Sequence, residues 1–390
     1  MDACNVTAAA RHALTLDIAA SSFSFAAVER ASRGLLTAPN RGGLLHVNAS
    51  GSFILSRHPP PHSHVKRCID GLRWFRLKVA AGSNTVTVPV SMEAAATVTA
   101  IPETLPFLTY ARHSQGRSPL VPRYYITSRF LGGGAPKFNP SKWRSKVDAV
   151  IFRGSPTNAI RVDLCRASAA GQLPQQVDVG LTSCLPDQNK WCGPCNGKGE
   201  NPPYGQGMPA WCDFAVMAKC RRKKMNREQQ LGYKYLLIAE GIAGADRLFE
   251  LLGLGSLLII LEPYNVVEFW QAGRTFQPYV HYIPSTIRDL PRVMRWLRAN
   301  QATSERIVLN ANKLARSLSA VCVRGVMTHA MQQIAWQQKQ EIGGQADSQL
   351  VRHTSLEQWQ AVLSPLVGGR LKLWTIFSRG SYSHARVPPT

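Results

Sequence analysis

GYKYLLIAEGIAGADRLFELLGLGSLLIIL runs from Gly232 to Leu261. Its first third is a β-rich apolar run that stops at Gly241. A turn of small residues follows, and then DRLFELLGLG, which places Leu248, Leu251 and Leu252 on one helical face and ends in glycine. SLLIILEP then reads as a second buried strand. Strand, helix, strand, with each apolar run nearly continuous, is the pattern of neighbouring parallel strands covered on both faces.

The same alternation extends in both directions. Upstream, VDAVIFRGS is a β-rich run ending in Gly-Ser, and RVDLCRASAA is a short helix. Downstream, PYVHYIPS reads as a strand. IRDLPRVMRWLRAN and the long stretch SERIVLNANKLARSLSAVCVRGVMTHAMQQIAWQQK read as helical. These elements predict an α/β domain with a parallel sheet over residues 146–340. Residues 1–80 read as irregular, and 81–145 as a reduced N-terminal domain containing the alternating run NTVTVPVSM. GGGAPKFNPSKW is a linker, and 341–390 a polar tail.

The chain has 390 residues, 45% of them hydrophobic, enough for a large core and too many for a disordered protein. Its formal charge of +23 favours an anionic partner. No zinc-finger, RNA-recognition or helix-turn-helix pattern occurs, so nucleic acid is not expected as that partner. No apolar run is long enough to span a bilayer. The N-terminus lacks the basic start and apolar run of a secretory signal, which leaves a weak transit peptide or a truncated gene prediction as its reading.

Two places suit an anion. FRGS, Phe152 to Ser155, is a strand-to-loop turn where backbone N–H groups and the Arg153 guanidinium converge on a phosphate. Arg247 stands in the first turn of a helix, where a cation is unfavourable unless an anion lies in front of it, with Asp246 as the local alternative. No Asp-x-Asp pair, of the kind that holds an anion through a divalent ion, occurs anywhere in the chain, so an anion here is expected to be met by cations directly.

WCGPC, Trp191 to Cys195, has the form of a dithiol redox site. Such a site needs a strand before it and a helix after it. Here SCLPDQNK precedes, and NGKGENPPYGQGMP, which cannot be helical, follows. The motif therefore belongs to a Cys/Gly/Pro loop over 184–220 that is held by disulfides. A zinc site drawn from Cys184, Cys192, Cys195, Cys212 and Cys220 is the alternative. RRKK, Arg221 to Lys224, reads as a solvated run.

VIFRGSPT, GYKYLLIAEGIAGADRLFELLGLGSLLII, VVEFW and PYVHYIPS, in this order, resemble glycosyltransferase family 90, the protein O-glucosyltransferases and capsule-associated xylosyltransferases. The resemblance covers about 147–316. It implies a GT-B architecture, two Rossmann-like domains facing a cleft, here with a shortened or irregular N-terminal domain. It also implies inverting transfer from UDP-glucose or UDP-xylose to a protein or glycan hydroxyl, without metal or other cofactor. A secretory lumen, ER or Golgi, is the implied compartment.

Carried over by motif, Arg153, Gly154 and Ser155 lie in the donor site, Arg247 faces the diphosphate, and Glu268 holds ribose or sugar hydroxyls. Lys234, Tyr235, His281 and Tyr282 position the sheet. The family's glucosyltransferases carry their general base as an Asp directly after an Arg. YARHSQ is the matching stretch, and there His113 follows Arg112. His113 is the expected base, with Glu103 a weaker candidate. The departure leaves two alternatives, a catalytically impaired relative that still binds nucleotide sugar, and a thiol or zinc module at the WCGPC loop.

Overall fold

The computed structural model describes residues 5–20, 27–28, 31, 42–48, 51–56, 86–91, 111–113, 120, 137–182, 211–241, 247–344 and 372–376. The chain divides into two compact units, one of residues 134–266 and 276–317, the other of 1–133, 267–275 and 318–390.

The first of these is built on five parallel strands. They are β1 (Val147–Gly154), β2 (Val177–Leu181), β3 (Tyr233–Ile238), β4 (Leu257–Leu261) and β5 (Ile283–Ser285), in the order β5-β4-β3-β1-β2. All five residues of β4 are buried, as a strand covered on both faces requires. Helices α1 (Pro140–Arg144), α2 (Ala159–Ala169), α3 (Phe214–Lys219), α4 (Arg227–Leu231), α5 (Arg247–Leu252), α6 (Leu290–Ala299) and α7 (Gln301–Ser317) complete the unit. Several start on a side-chain cap: Asn139, Asn158, Asp213 and Asn226 each accept from a backbone N–H of the following turn. Asn226 also closes a capping box with Gln229.

The core joins β1, β3 and β4 to α2, α6 and α7 through Val150, Val162, Leu237, Ile259, Met294 and Ile307. The indole of Trp143 packs edge-on against Tyr235, with ring centroids 5.9 Å apart. α5 does end in glycine as its sequence predicts. The Gly253 carbonyl accepts from Asn312 Nδ2 of α7 at 2.7 Å, and Gly255 takes the left-handed φ of 79° that glycine tolerates. PYVHYIPS is less regular than expected. Only Ile283–Ser285 is strand, and the residues before it form a turn with Tyr279 N donating to Tyr282 O.

In the other unit, strands Lys372–Ile376, Gly51–Ser56, Gly42–Asn48 and Val86–Ser91 form a four-stranded sheet in that order, every pair antiparallel. Leu45, Val47 and Val86 are buried in it. This differs from the expected second Rossmann-like sheet, whose strands would run parallel, because every described pair here is antiparallel. Residues 1–80, read as irregular, hold the helix Asn5–Ala20 and two of these strands. That helix buries Leu14 and Ile18, one turn apart. It packs on the helix Ala320–Gly344, where Thr15 Oγ1 meets His329 Nε2 at 2.7 Å and Gln337 Nε2 donates to the Ile18 carbonyl at 3.0 Å. Among the described residues no helix is long and apolar enough to cross a membrane.

Candidate functional site

The chain leaves β1 for β2 on one side, then returns to place β3 on the other. The carboxyl ends of β1 and β3 therefore diverge into a crevice at a topological switch point, where open α/β sheets take their ligands. The residues that line it follow from that placement.

β1 ends in Arg153-Gly154, and Ser155 begins a tight turn in which Thr157 N donates to the Ser155 carbonyl at 2.8 Å. Asn158 then caps α2. A methyl group on Gly154 would stand 2.9 Å from Phe152 Cζ and 3.4 Å from Arg247 Nη2. The Arg247 guanidinium thus lies near the end of β1, and a side chain at 154 would strike the Phe152 ring first. Gly154 and Arg247, expected in one site although far apart in the chain, are near each other in the fold.

Arg153 is turned elsewhere. Its sequence reading aimed the guanidinium at a phosphate, but its fork is occupied by Asp178 of β2, with Nη2 to Oδ2 at 2.6 Å and Nη1 to Oδ1 at 3.1 Å. Arg153 is 8% exposed and pairs in register with Gly180. A Cβ on Gly180 would collide with Arg153 Cδ at 2.9 Å. The missing side chain opens the path along which Arg153 reaches back to Asp178.

Arg161 was not singled out by the sequence. It is buried under the crevice and donates to four oxygens. Nε reaches the Glu240 carbonyl at 2.8 Å and Nη2 the Ala239 carbonyl at 2.9 Å, while Nη1 reaches the Ser155 carbonyl and Thr157 Oγ1, both at 3.0 Å. Asn158 Nδ2 adds a bond to the Gly241 carbonyl at 3.2 Å. Together they fix the β1–α2 turn to the end of β3, across the switch point. Glu240, also buried, accepts from Asn265 N at 2.7 Å. The legible signal for Arg161 was a cation in the first turn of a helix, the same anomaly that drew attention to Arg247.

Lys234, Tyr235 and His281, expected to position the sheet, make the following contacts. Gln301 donates to the Tyr235 hydroxyl and accepts from Lys234 Nζ. Burial pushes the Tyr235 phenol up to about 12. His281 accepts from Gln277 N at Nδ1 and stacks on Phe276, and burial holds its imidazole below the usual range.

Glu268 and His113 lie in the other unit. Glu268 ends the strand Val266–Glu268 and is not a helical residue. It is buried and its Oε2 accepts from the Trp270 indole at 3.1 Å. The strand Ala111–His113 pairs with that strand, so the backbones bearing these two residues are neighbours. Glu103, Asp246 and the WCGPC motif lie outside the described residues. The zinc alternative loses two of its five ligands. Cys220 is bonded to Cys165, with Cα atoms 5.8 Å apart, and Cys212 is likewise in a disulfide. A disulfide sulfur offers no thiolate to a metal.

A parallel α/β sheet with glycine and arginine at its switch point is the arrangement in which open α/β proteins take their ligands, at the carboxyl ends of the strands. The profile of "Glycosyl transferase family 90" matches residues 136–362, more than half of the chain. The chain belongs to glycosyl transferase family 90. It is also similar to two viral proteins, each described as uncharacterised. It is 26% identical over 205 residues to protein 035R of Invertebrate iridescent virus 3, a match covering 50% of this chain. It is 30% identical over 177 residues to protein 027R of Frog virus 3, covering 42% of this chain. The matched region spans 17% of the length of each of these relatives.

Proposed function

We propose that the protein transfers a sugar from UDP-glucose or UDP-xylose to a hydroxyl of a protein or glycan, with inversion. The parallel-sheet unit is then the donor-binding unit of the enzyme. The observation that carries this reading is the close approach of the Arg247 guanidinium to Gly154 at the switch point of a family 90 chain. In this reading Arg247, with the backbone of Gly154 and Ser155, neutralises the diphosphate as UDP departs, the main electrostatic task of a transferase that uses no metal. Arg153 and Arg161 hold the strand ends from which those groups project. His113 takes the proton of the acceptor hydroxyl, and Glu268 binds donor hydroxyls. The Cys165–Cys220 disulfide supports an oxidising compartment, the secretory lumen.

The test is UDP release from UDP-glucose and UDP-xylose, with thermal shift by UDP run in parallel. UDP at 100 times its Kd should add roughly 2.7 kcal/mol of stability. Arg247→Ala is expected to remove both effects while the protein stays folded. His113→Ala is expected to abolish release and leave the UDP shift in place. UDP stabilisation of the wild type without release from either donor would support the impaired relative instead. Neither effect in a folded wild type would overturn the donor-site reading.

A further inference from the structure

The run Arg221-Arg222-Lys223-Lys224 has no part in the crevice, yet it is not a loose surface segment. Leu181 N donates to the Cys220 carbonyl at 2.9 Å, and Arg222 N donates to the Leu181 carbonyl at 3.0 Å. Leu181 and Arg221 form a parallel bridge, so the start of the run extends the sheet beyond β2 by one short strand. The Cys165–Cys220 disulfide fixes the residue just before it to α2. The stem of Arg222 crosses Gly180 so closely that a Cβ there would stand 2.6 Å from Arg222 Cβ and 2.7 Å from its Cγ. The strip is therefore held at the same carboxyl edge of the sheet as Gly154, two strands across, about 10 Å away at ordinary strand spacing.

Arg221, Arg222, Lys223, Lys224 and Arg227 are all exposed. Arg222, Lys223, Lys224 and Arg227 form no ion pair among the described residues, and Glu228 is the one acid between 221 and 231. Structural cations are usually paired with acids. Five cations in seven residues, held in place by a disulfide and a backbone bridge, present a fixed array of positive charge. Met225 is the only apolar residue among them, so nothing in the strip stacks on bases or inserts into lipid. In the oxidising compartment that the adjoining disulfide supports, nucleic acid is not the prevailing polyanion. Rows of charge without apolar pockets match a linear polymer that carries its own charges at regular intervals.

We propose that Arg221–Lys224, with Arg227, binds a linear acidic glycan, a chain bearing carboxylate or sulfate groups, and that this chain carries the acceptor hydroxyl. The acceptor assignment rests on the transferase reading above; the glycan site itself does not. Pre-organisation by the disulfide and the backbone bridge lowers the ordering cost of binding.

The experiment measures binding of size-defined oligogalacturonate and heparin oligosaccharides at low and high salt. Neutral dextran, polyglutamate and single-stranded DNA are the comparison probes, and the UDP thermal shift is recorded alongside. The full chain is compared with the variant R221Q/R222Q/K223Q/K224Q. The expected result is that the wild type binds at least one acidic glycan and not dextran. The variant should bind about a hundredfold more weakly at low salt, with its UDP shift unchanged. Equal binding by wild type and variant would overturn the site. So would binding of polyglutamate or DNA as tight as that of the glycans, or no glycan binding at all. Glycan binding lost in the variant supports the site whether or not UDP stabilises the protein. Absence of the UDP shift in the wild type removes the transferase reading, and with it the acceptor assignment.

Discussion

Arg161 is the residue on which the crevice depends most. It joins two strand ends by four hydrogen bonds from one buried guanidinium. Lysine offers a point charge and no planar fork, so Arg161→Lys leaves several buried carbonyls without a donor. The variant is expected to lose about 3 kcal/mol in chemical denaturation. It should also lose affinity for UDP, read by titration, because the turn carrying Ser155 is released. Gly154 and Arg247 were legible in outline, since each sits in an unusual local setting. The sequence hid the partners of Arg153 and Arg161. Asp178 is 25 residues from Arg153, and Glu240 is 79 residues from Arg161. An arginine facing a phosphate and one facing a carbonyl look alike until the fold supplies the neighbour.

At the scale of elements, the alternation of apolar runs was enough to read β1, β3, β4, α2 and α6, because each buries a continuous stripe or both of its faces. The stretch Ser304 to Lys339 read as one helical segment but is broken. Gln301–Ser317 and Ala320–Gly344 are separate helices, with Ser319 Oγ accepting from Cys322 N at the second start. Apolar residues recur at helical spacing on both sides of the break, so periodicity alone cannot locate it. Cysteine pairing was equally hidden, because proximity decides it. The Cys165–Cys220 bond closes a separation of 55 residues between α2 and the end of α3. On the chain-entropy account such a cross-link contributes about 4 kcal/mol. The double variant Cys165→Ala/Cys220→Ala should lose stability of that order in equilibrium unfolding.

For the molecule as a whole, the charge of +23 means that losing a proton from any lysine relieves repulsion. Lys146 adds a local effect. Its Nζ donates to Ser256 Oγ at 2.7 Å, and burial pushes the amine down to about 8 from the ordinary 10.5. Below pH 8 both the folded and unfolded chains carry this charge, and folding bears the full cost of burying it. Between about 8 and 10.5 the folded state sheds the proton first, so the unfolded chain binds more protons and stability rises with pH. The amine is partly exposed, which reduces the gain to a rise of roughly 3 °C in Tm. Lys146→Met should flatten that part of the profile while leaving the general charge effect, as scanning calorimetry across this range would show. The two ends of the parallel sheet carry a different consequence. β5 is three residues long with Pro284 at its centre, and the outer side of β2 is taken by Cys220–Arg222 and followed by Lys223 and Lys224. Short, proline-bearing and lysine-guarded margins deny a foreign strand any place to join, so this apolar sheet is shielded from edge-to-edge self-association even when the protein is concentrated.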